Sequence, residues 1–380
     1  MSLARYAVAA ARVARANVAR LERPLKVNLA LTYWCQYRCK TCNIWQRKPA
    51  EELSTIEVLR FIERNRRFSW ADLTGGEIFL RKDIGDILDA VVASWRDLVV
   101  LHFPTNGFLT DKIARATERV ANRGIPHVIV TVSLDGDEKT NDEVRGIKGG
   151  FERQMETFAA LHQMRGVQAV LGMTLSRHNV GQVERAFAAC QERYPRLTWE
   201  DFHVNLAQVS EHYYGNSADV SVIAPRDSAL RELRAYRDRR GSSPFVSRWI
   251  ERRYLAKLER YLESGLTPMR CHALRSSCFI DPWGTVFPCI SYTRPLGRLR
   301  DANMEIGPIW RSAGTSAVQR EIWEGDCPHC WTPCEAYQSI LGNLVRPFDP
   351  GPRPRPTPVI PLHAVGDNPP LARPTHDGAS

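Results

Sequence analysis

Residues 27–42 read Val27-Asn28-Leu29-Ala30-Leu31-Thr32-Tyr33-Trp34-Cys35-Gln36-Tyr37-Arg38-Cys39-Lys40-Thr41-Cys42, a short β-rich run ending in three cysteines spaced C-x3-C-x2-C. Thiolates brought together by one turn of backbone are what an iron–sulfur site requires. Three of them leave one iron of a four-iron cluster without a protein ligand. An open iron binds a substrate or cofactor through nitrogen and oxygen. A structural zinc site would want a fourth Cys or His nearby, and none lies close in sequence.

Working outward, the opening run Val27 to Thr32 is followed by five more. They are Trp70 to Thr74, Val99 to Pro104, His127 to Ser133, Gln168 to Thr174 and Trp199 to Leu206. Helical patterns separate them near 54–67, 83–96, 110–123, 150–165 and 179–194, several opening on Ser, Thr, Asp or Asn. Such alternation predicts parallel βα units. Six units are fewer than the eight that close a barrel, so the expected fold is α/β, a partial (β/α)6 TIM-like barrel with functional residues at the strand ends. A charged helical stretch near 226–264 and a Cys-rich region from 271 to about 345 come next. The expected division is a basic N-terminal helix over 1–24, the barrel over 25–215 and a helical connector over 216–268. A small Cys-rich α+β domain over 269–345 and a Pro-rich disordered tail over 346–380 complete it.

Further motifs sit at the strand ends. Gly75-Gly76-Glu77 ends the second run, Thr105-Asn106-Gly107 the third and Ser133-Leu134-Asp135-Gly136 the fourth, and Arg145 lies in Asn141-Asp142-Glu143-Val144-Arg145-Gly146. With the C-x3-C-x2-C loop, these resemble the radical S-adenosylmethionine (SAM) superfamily over roughly residues 25 to 215. The resemblance implies that Cys35, Cys39 and Cys42 hold a four-iron cluster whose open iron chelates the amino and carboxylate groups of SAM. Reductive cleavage then yields methionine and a 5′-deoxyadenosyl radical that abstracts hydrogen from the substrate. It further implies cofactor contacts from Gly75, Gly76 and Glu77, where backbone without side chains permits close approach, and from Asn106. Ser133 would reach the SAM carboxylate or ribose, and Arg145 would pair with that carboxylate bidentately. Many relatives place an aromatic residue immediately before the third Cys, where this chain has Thr41. Ile44 or Trp45 would then supply the apolar wall at the adenine. Ser176 and Asn179, after the fifth strand, either face the adenosyl group or cap the next helix.

Cys271, Gly284 and Cys289 match the C-x(9–15)-G-x4-C signature that opens the SPASM and twitch extensions of this superfamily. Asp281-Pro282-Trp283-Gly284-Thr285-Val286 reads as a hairpin that brings both thiolates to one side. Cys327-Pro328-His329-Cys330-Trp331-Thr332-Pro333-Cys334 adds more thiolates, but falls short of the full SPASM pattern. The shorter arrangement implies one auxiliary four-iron cluster held by Cys271, Cys289, Cys327 and Cys330, with Cys278 or Cys334 able to replace one of them. A zinc knuckle of Cys327, Cys330, Cys334 and His329 is the alternative. Cys190 is assigned to helix packing.

Composition limits the rest. The 52 Lys and Arg against 42 Asp and Glu give +10, too dispersed to argue for nucleic acid, and only 8 of the 52 are Lys. No apolar run approaches the roughly 18 residues that span a bilayer. The N-terminus lacks a secretory core, since Arg5, Arg12, Arg15 and Arg20 interrupt it, so the expected localisation is cytoplasmic. Residues 1–22 form a basic Ala-rich helix that packs on the domain, rests peripherally on an anionic membrane or resembles a transit peptide. Residues 346–380 hold 10 of the 24 Pro.

Expected from all this is a radical SAM oxidoreductase or maturase of a small metabolite or peptide, taking its electron from a donor such as flavodoxin or ferredoxin. The short segment before the barrel leans toward a metabolite or lipid. Membrane-associated lipid modification and a non-catalytic iron–sulfur sensor or scaffold are the alternatives. Gln208, His212, Tyr213 and Tyr214, after the sixth strand, are the candidates for substrate binding or proton movement.

Overall fold

A computed structural model describes residues 2–240 and 246–345, so the Pro-rich tail lies outside the described residues. The chain begins with helix α1 (Ser2–Val18), then β1 (Lys26–Thr32), α2 (Thr55–Arg64), β2 (Trp70–Gly75), α3 (Ile84–Ser94) and β3 (Val100–Thr105). Next come α4 (Thr110–Ala121), β4 (His127–Ser133), α5 (Glu138–Arg145), α6 (Gly150–His162), β5 (Val167–Leu175), α7 (Val183–Arg193) and β6 (Phe202–Leu206). Two helices, α8 (Arg226–Arg239) and α9 (Val246–Ser264), lead to β7 (Ser277–Ile280), β8 (Thr285–Phe287) and β9 (Gly297–Arg298). Helices α10 (Ile306–Arg311), α11 (Ala313–Glu324) and α12 (Pro333–Gly342) close the described chain.

The six βα strands pair in parallel and in chain order, as the alternation predicts. The cysteine-rich region does not build its own sheet. β7 pairs in parallel with β1, Val27 opposite Cys278, and β8 and β9 follow antiparallel, so one nine-stranded sheet runs β6-β5-β4-β3-β2-β1-β7-β8-β9. The sixth expected strand is shorter than its apolar pattern. Thr198 and Asp201 form a reciprocal capping box that winds Trp199–Asp201 into a 3-10 turn before β6. Helix α5 goes unmarked by any apolar run; Asp137 caps its first turn and Gly146, left-handed at φ +64°, ends it.

Outward side chains such as Val128, Val130, Val132, Phe202 and Val204 are buried in the main core beneath the helices. Many inward ones are half-buried and polar, among them His102, Thr131, Ser133, Thr174, His203 and Asn205, beside the apolar Ile129 and Val170. The barrel therefore encloses a polar lumen rather than a packed one. Lys26 Nζ pairs with Asp72 at 2.8 Å over the Trp70 ring, and His102 bridges Asp72 and Thr131 at 3.2 and 3.0 Å. Burial would push the Asp72 carboxyl up, but Lys26 and the His102 contact outweigh it and hold it well below its ordinary range. Across the opening, α9 packs on α12. Tyr337 of α12 donates to Glu251 of α9 at 2.6 Å, and Glu251 holds His203 at 2.9 Å. Asn28 donates to Glu335, which places α12 against the inner face of β1.

Helix α1 lies against the body. Arg12 donates to carbonyls of Pro24 and Arg67, Arg20 to those of Leu274 and Trp310, and Asn17 to that of Leu341. Cys190 is fully buried on α7, the packing role expected of it.

Candidate active site

The cysteine loop leaves β1 at the C-terminal edge of the sheet and is zipped to the end of α5. Arg38 N–H donates to Arg145 O at 3.2 Å and Lys40 N–H to Val144 O at 2.8 Å. From the other side, Asn216 donates to Thr41 O at 3.0 Å and Asn43 N–H to Tyr214 O at 2.8 Å. Cys35, Cys39 and Cys42 are half-buried. Burial pushes the Cys35 thiol up to about 11, with Cys39 adding to the rise; burial, Cys39 and Cys35 take Cys42 up to about 12. The three sulfurs are thus within electrostatic reach of one another. Bare, they stay protonated; coordination to iron would deprotonate them. Among the described residues no three His, Cys, Asp or Glu converge on a point fit for a single ion.

The Gly75-Gly76-Glu77 segment abuts this loop. Gly76 N–H bonds to Thr32 O and Glu77 N–H to Trp34 O, both at 2.8 Å. A Cβ on Gly76 would strike the Trp34 carbonyl and lie 3.0 Å from Cβ of Cys35, so only glycine permits this approach. Glu77 is fully buried and accepts from Thr105 Oγ1 at 2.9 Å and Asn106 N–H at 2.7 Å, fixing the turn after β3. Asn106 in turn reaches Gln36 at 3.1 Å and Cys35 Sγ at 3.9 Å. Ser133 opens half-buried onto the lumen at the end of β4. Arg145 lies buried in an ion pair with Asp135 at 2.7 Å. Ser176 and Asn179 brace each other, Asn179 Oδ1 accepting from both N–H and hydroxyl of Ser176 while its Nδ2 donates to Asp135 O and Thr174 O, so they tie the turn after β5; the N-cap of the next helix is instead Gln182.

The second cysteine set is equally well resolved. Cys271, Cys289, Cys327 and Cys330 line one small cavity with Thr267, Ser291 and His329. Burial raises all four thiols, Cys327 to about 11 and Cys330 to about 12. Cys278 is fully buried on β7 away from that cavity. Cys334 lies with Cys35, Cys42 and Tyr214 around an apolar cluster of Tyr33, Ile44, Tyr213 and Phe279. That cluster also takes in Phe287 and Ile290, the latter next to Cys289 in sequence. Ile44 is part of it, whereas Trp45 sits under the Arg38 guanidinium at 5.7 Å.

The four candidates after β6 are mostly engaged within the protein. His212 Nδ1 meets the Thr293 hydroxyl at 3.0 Å, and its ring stacks on Phe287 at 4.2 Å. Tyr213 shares a hydrogen bond with Thr74 at 2.7 Å. Gln208 meets the hydroxyl of Tyr261. Tyr214 remains half-buried between the two cysteine sets, its hydroxyl pushed up by burial, Tyr213 and the thiols Cys334, Cys42 and Cys330. The lumen groups His102, Thr131, His203 and Asn205 escape sequence reasoning. Their one signal is polar residues at every second position of strands that a parallel sheet usually fills with apolar ones.

An open α/β barrel with a three-thiolate loop at its mouth and a four-thiolate cavity alongside defines an iron–sulfur protein of two sites. Residues 29–190 match the radical SAM superfamily model, and residues 271–331 match SPASM, an iron–sulfur cluster-binding domain. Among curated relatives, the sporulation killing factor maturation protein SkfB of Bacillus subtilis (strain 168) is 27% identical over 75% of this chain and 65% of its own length. The mycofactocin maturase MftC of Mycobacterium ulcerans (strain Agy99) is 29% identical over 86% of this chain and 84% of its own. The solved structure of native anSMEcpe with bound AdoMet and Kp18Cys peptide shares the fold, at TM-score 0.58 and 13% identity over 78% of this chain and 84% of that one. Residues 29–190 thus carry a radical SAM domain and residues 271–331 a SPASM iron–sulfur domain, whose cofactors are the SAM-binding four-iron cluster, SAM and auxiliary iron–sulfur. No described helix is long and apolar enough to cross a membrane.

Proposed function

We propose that this protein is a radical SAM maturase that modifies a peptide. The observation that carries it is the pair of cysteine sets, three at the lumen mouth and four in one cavity beside it. Cys35, Cys39 and Cys42 hold the SAM-binding cluster, and Cys271, Cys289, Cys327 and Cys330 hold the auxiliary one. When bound, the cluster and SAM supply reductive cleavage of SAM and hydrogen abstraction from the substrate.

The chain's own residues do the rest. Gly75 and Gly76 let the backbone after β2 close on Thr32 and Trp34 at the start of the cysteine loop, and Glu77 fixes the turn that aims Asn106. Ser133 offers a hydroxyl from β4. The wall of Tyr33, Ile44, Tyr213 and Phe279 excludes water beside Cys35 and Cys42. Thr131, Thr174 and Asn205 line the lumen with hydrogen-bonding groups suited to a peptide backbone. Relatives named for maturation, together with the peptide bound in the anSMEcpe structure of similar fold, favour a peptide over a metabolite or lipid. In α1, Arg12 and Arg20 are committed to main-chain carbonyls within the body, which supports packing as its role.

The test is co-expression with short peptides encoded beside the gene, read by peptide mass. A mass change that needs Cys35, Cys39 and Cys42 supports the proposal. A modified small metabolite with every peptide unchanged contradicts it.

A further inference from the structure

Ser291 lies two residues after Cys289, on the loop that leaves β8. Contacts on either side hold that loop in place. His212 bonds to Cys289 O and to the Thr293 hydroxyl, both at 3.0 Å, and Ser210 donates to Ile290 O. So held, Ser291 lines the cavity of Cys271, Cys289, Cys327 and Cys330. The other polar side chains of that cavity are committed elsewhere. Thr267 Oγ1 meets N–H and carbonyl of Cys330, both at 3.3 Å, His329 Nδ1 accepts from Thr267 N–H at 3.3 Å, and Tyr292 meets Arg294. Ser291 is only 9% exposed, and its buried Oγ has no partner at hydrogen-bond distance and angle; the group it faces is the Cys330 thiol.

A buried hydroxyl without an acceptor is destabilising, and native proteins rarely leave one so. A protonated thiol accepts poorly, whereas a thiolate bound to iron is an anionic acceptor. Backbone donors already serve sulfur in this cavity: Ala273 N–H bonds to Cys271 Sγ at 3.4 Å. A hydrogen bond to an anionic sulfur strengthens as negative charge is added, so it favours the reduced form of a cluster. Hydrogen bonds to sulfur are among the levers that set cluster potentials. We propose that Ser291 is a positioning residue whose hydroxyl donates to a sulfur of the auxiliary cluster held by Cys271, Cys289, Cys327 and Cys330, and raises that cluster's reduction potential. This rests on the four-cysteine assignment above.

The test is an electron-paramagnetic-resonance redox titration of the auxiliary cluster in reconstituted full-length protein, repeated in the Cys35→Ala, Cys39→Ala, Cys42→Ala background, which removes the loop signal. Ser291→Ala is expected to lower the reduced-to-oxidised ratio at a fixed potential about tenfold, a midpoint about 59 mV more negative for one electron. Its auxiliary iron should be unchanged. Ser291→Thr keeps a hydroxyl and most of the wild-type potential. After reconstitution in D2O, electron–nuclear double resonance should show an exchangeable deuteron coupled to the reduced wild-type cluster that Ser291→Ala lacks, a signature that packing alone does not move. An unmoved midpoint, identical deuteron couplings, or a Ser291→Thr midpoint as negative as that of Ser291→Ala overturns the inference. Loss of auxiliary iron in Ser291→Ala overturns it too, by making Ser291 a packing residue. A wild type without auxiliary iron refutes the four-cysteine assignment instead, and is recognised before any variant is compared.

Discussion

His212 Nε2 donates a hydrogen bond to the main-chain carbonyl of Cys289 at 3.0 Å, tying the loop after β6 to the hairpin that carries an auxiliary cysteine. A carbonyl only accepts, so Nε2 carries the proton and Nδ1 accepts from Thr293. Burial pushes this imidazole down to about 4, so it is neutral at ordinary pH. Its folded pKa lies below the unfolded one near 6.5. The unfolded chain therefore binds the extra proton first, and this contribution, complete above about pH 6.5, is lost as pH falls toward about 4. The amount is at most about 3 kcal/mol. His212→Phe keeps the ring on Phe287 but orphans the Cys289 carbonyl, which costs about 1–3 kcal/mol at neutral pH. Thermal unfolding between pH 7 and 5 should show a shallower acid slope in the variant; parallel slopes would refute this role.

Iron content separates the cysteines by site. Wild type should carry about eight irons, and Cys271→Ala together with Cys289→Ala about four. Cys278→Ala and Cys334→Ala should both retain about eight, since neither lines the auxiliary cavity. Loss of about four irons in Cys278→Ala or Cys334→Ala would redraw the ligand set.

Gly76→Ala tests the close approach of the GGE segment to the cysteine loop. The added methyl must displace the Trp34 carbonyl or the Cys35 side chain, at about 1–3 kcal/mol. SAM binding should fall at least about tenfold in equilibrium dialysis, with the SPASM cluster intact. Unchanged affinity would mean that this glycine serves the fold alone.

Asn17 of α1 donates to Leu341 O at 2.8 Å and accepts from Val345 N–H at 3.1 Å, clasping the end of α12. Asn17→Ala removes both bonds, one to half-buried Leu341 and one from exposed Val345, and should destabilise by about 1 kcal/mol in urea unfolding. Co-sedimentation with anionic liposomes should not change on Arg12→Ala or Arg20→Ala. A clear loss would reassign α1 to membrane contact.

Much of this fold was legible because each barrel strand is a short β-rich run bounded by a turn or cap. His127–Ser133 ends where the pattern ends, and β1 differs by Lys26 alone. Trp199 misleads because an aromatic residue favours strands while Thr198 and Asp201 decide the backbone locally. The cysteine loop was legible because its ligands lie within eight residues. Spacing alone left six C-terminal cysteines as candidates; pairing of β7 with β1 turns Cys278 away, Cys334 packs on the apolar cluster of Tyr33 and Tyr213, and four are left together. The lumen network is invisible in sequence because Lys26, Asp72 and His102 come from three strands and meet only once register is set.

The central claim is that the three-thiolate loop binds a cluster that cleaves SAM. Its most direct test is formation of 5′-deoxyadenosine from SAM under dithionite, anaerobically, by wild type and by the Cys35→Ala, Cys39→Ala, Cys42→Ala triple variant. Formation by wild type and none by the variant, which should still hold its auxiliary iron, is the predicted result. No 5′-deoxyadenosine from a wild type carrying both clusters would contradict the account and leave an iron–sulfur protein without radical chemistry.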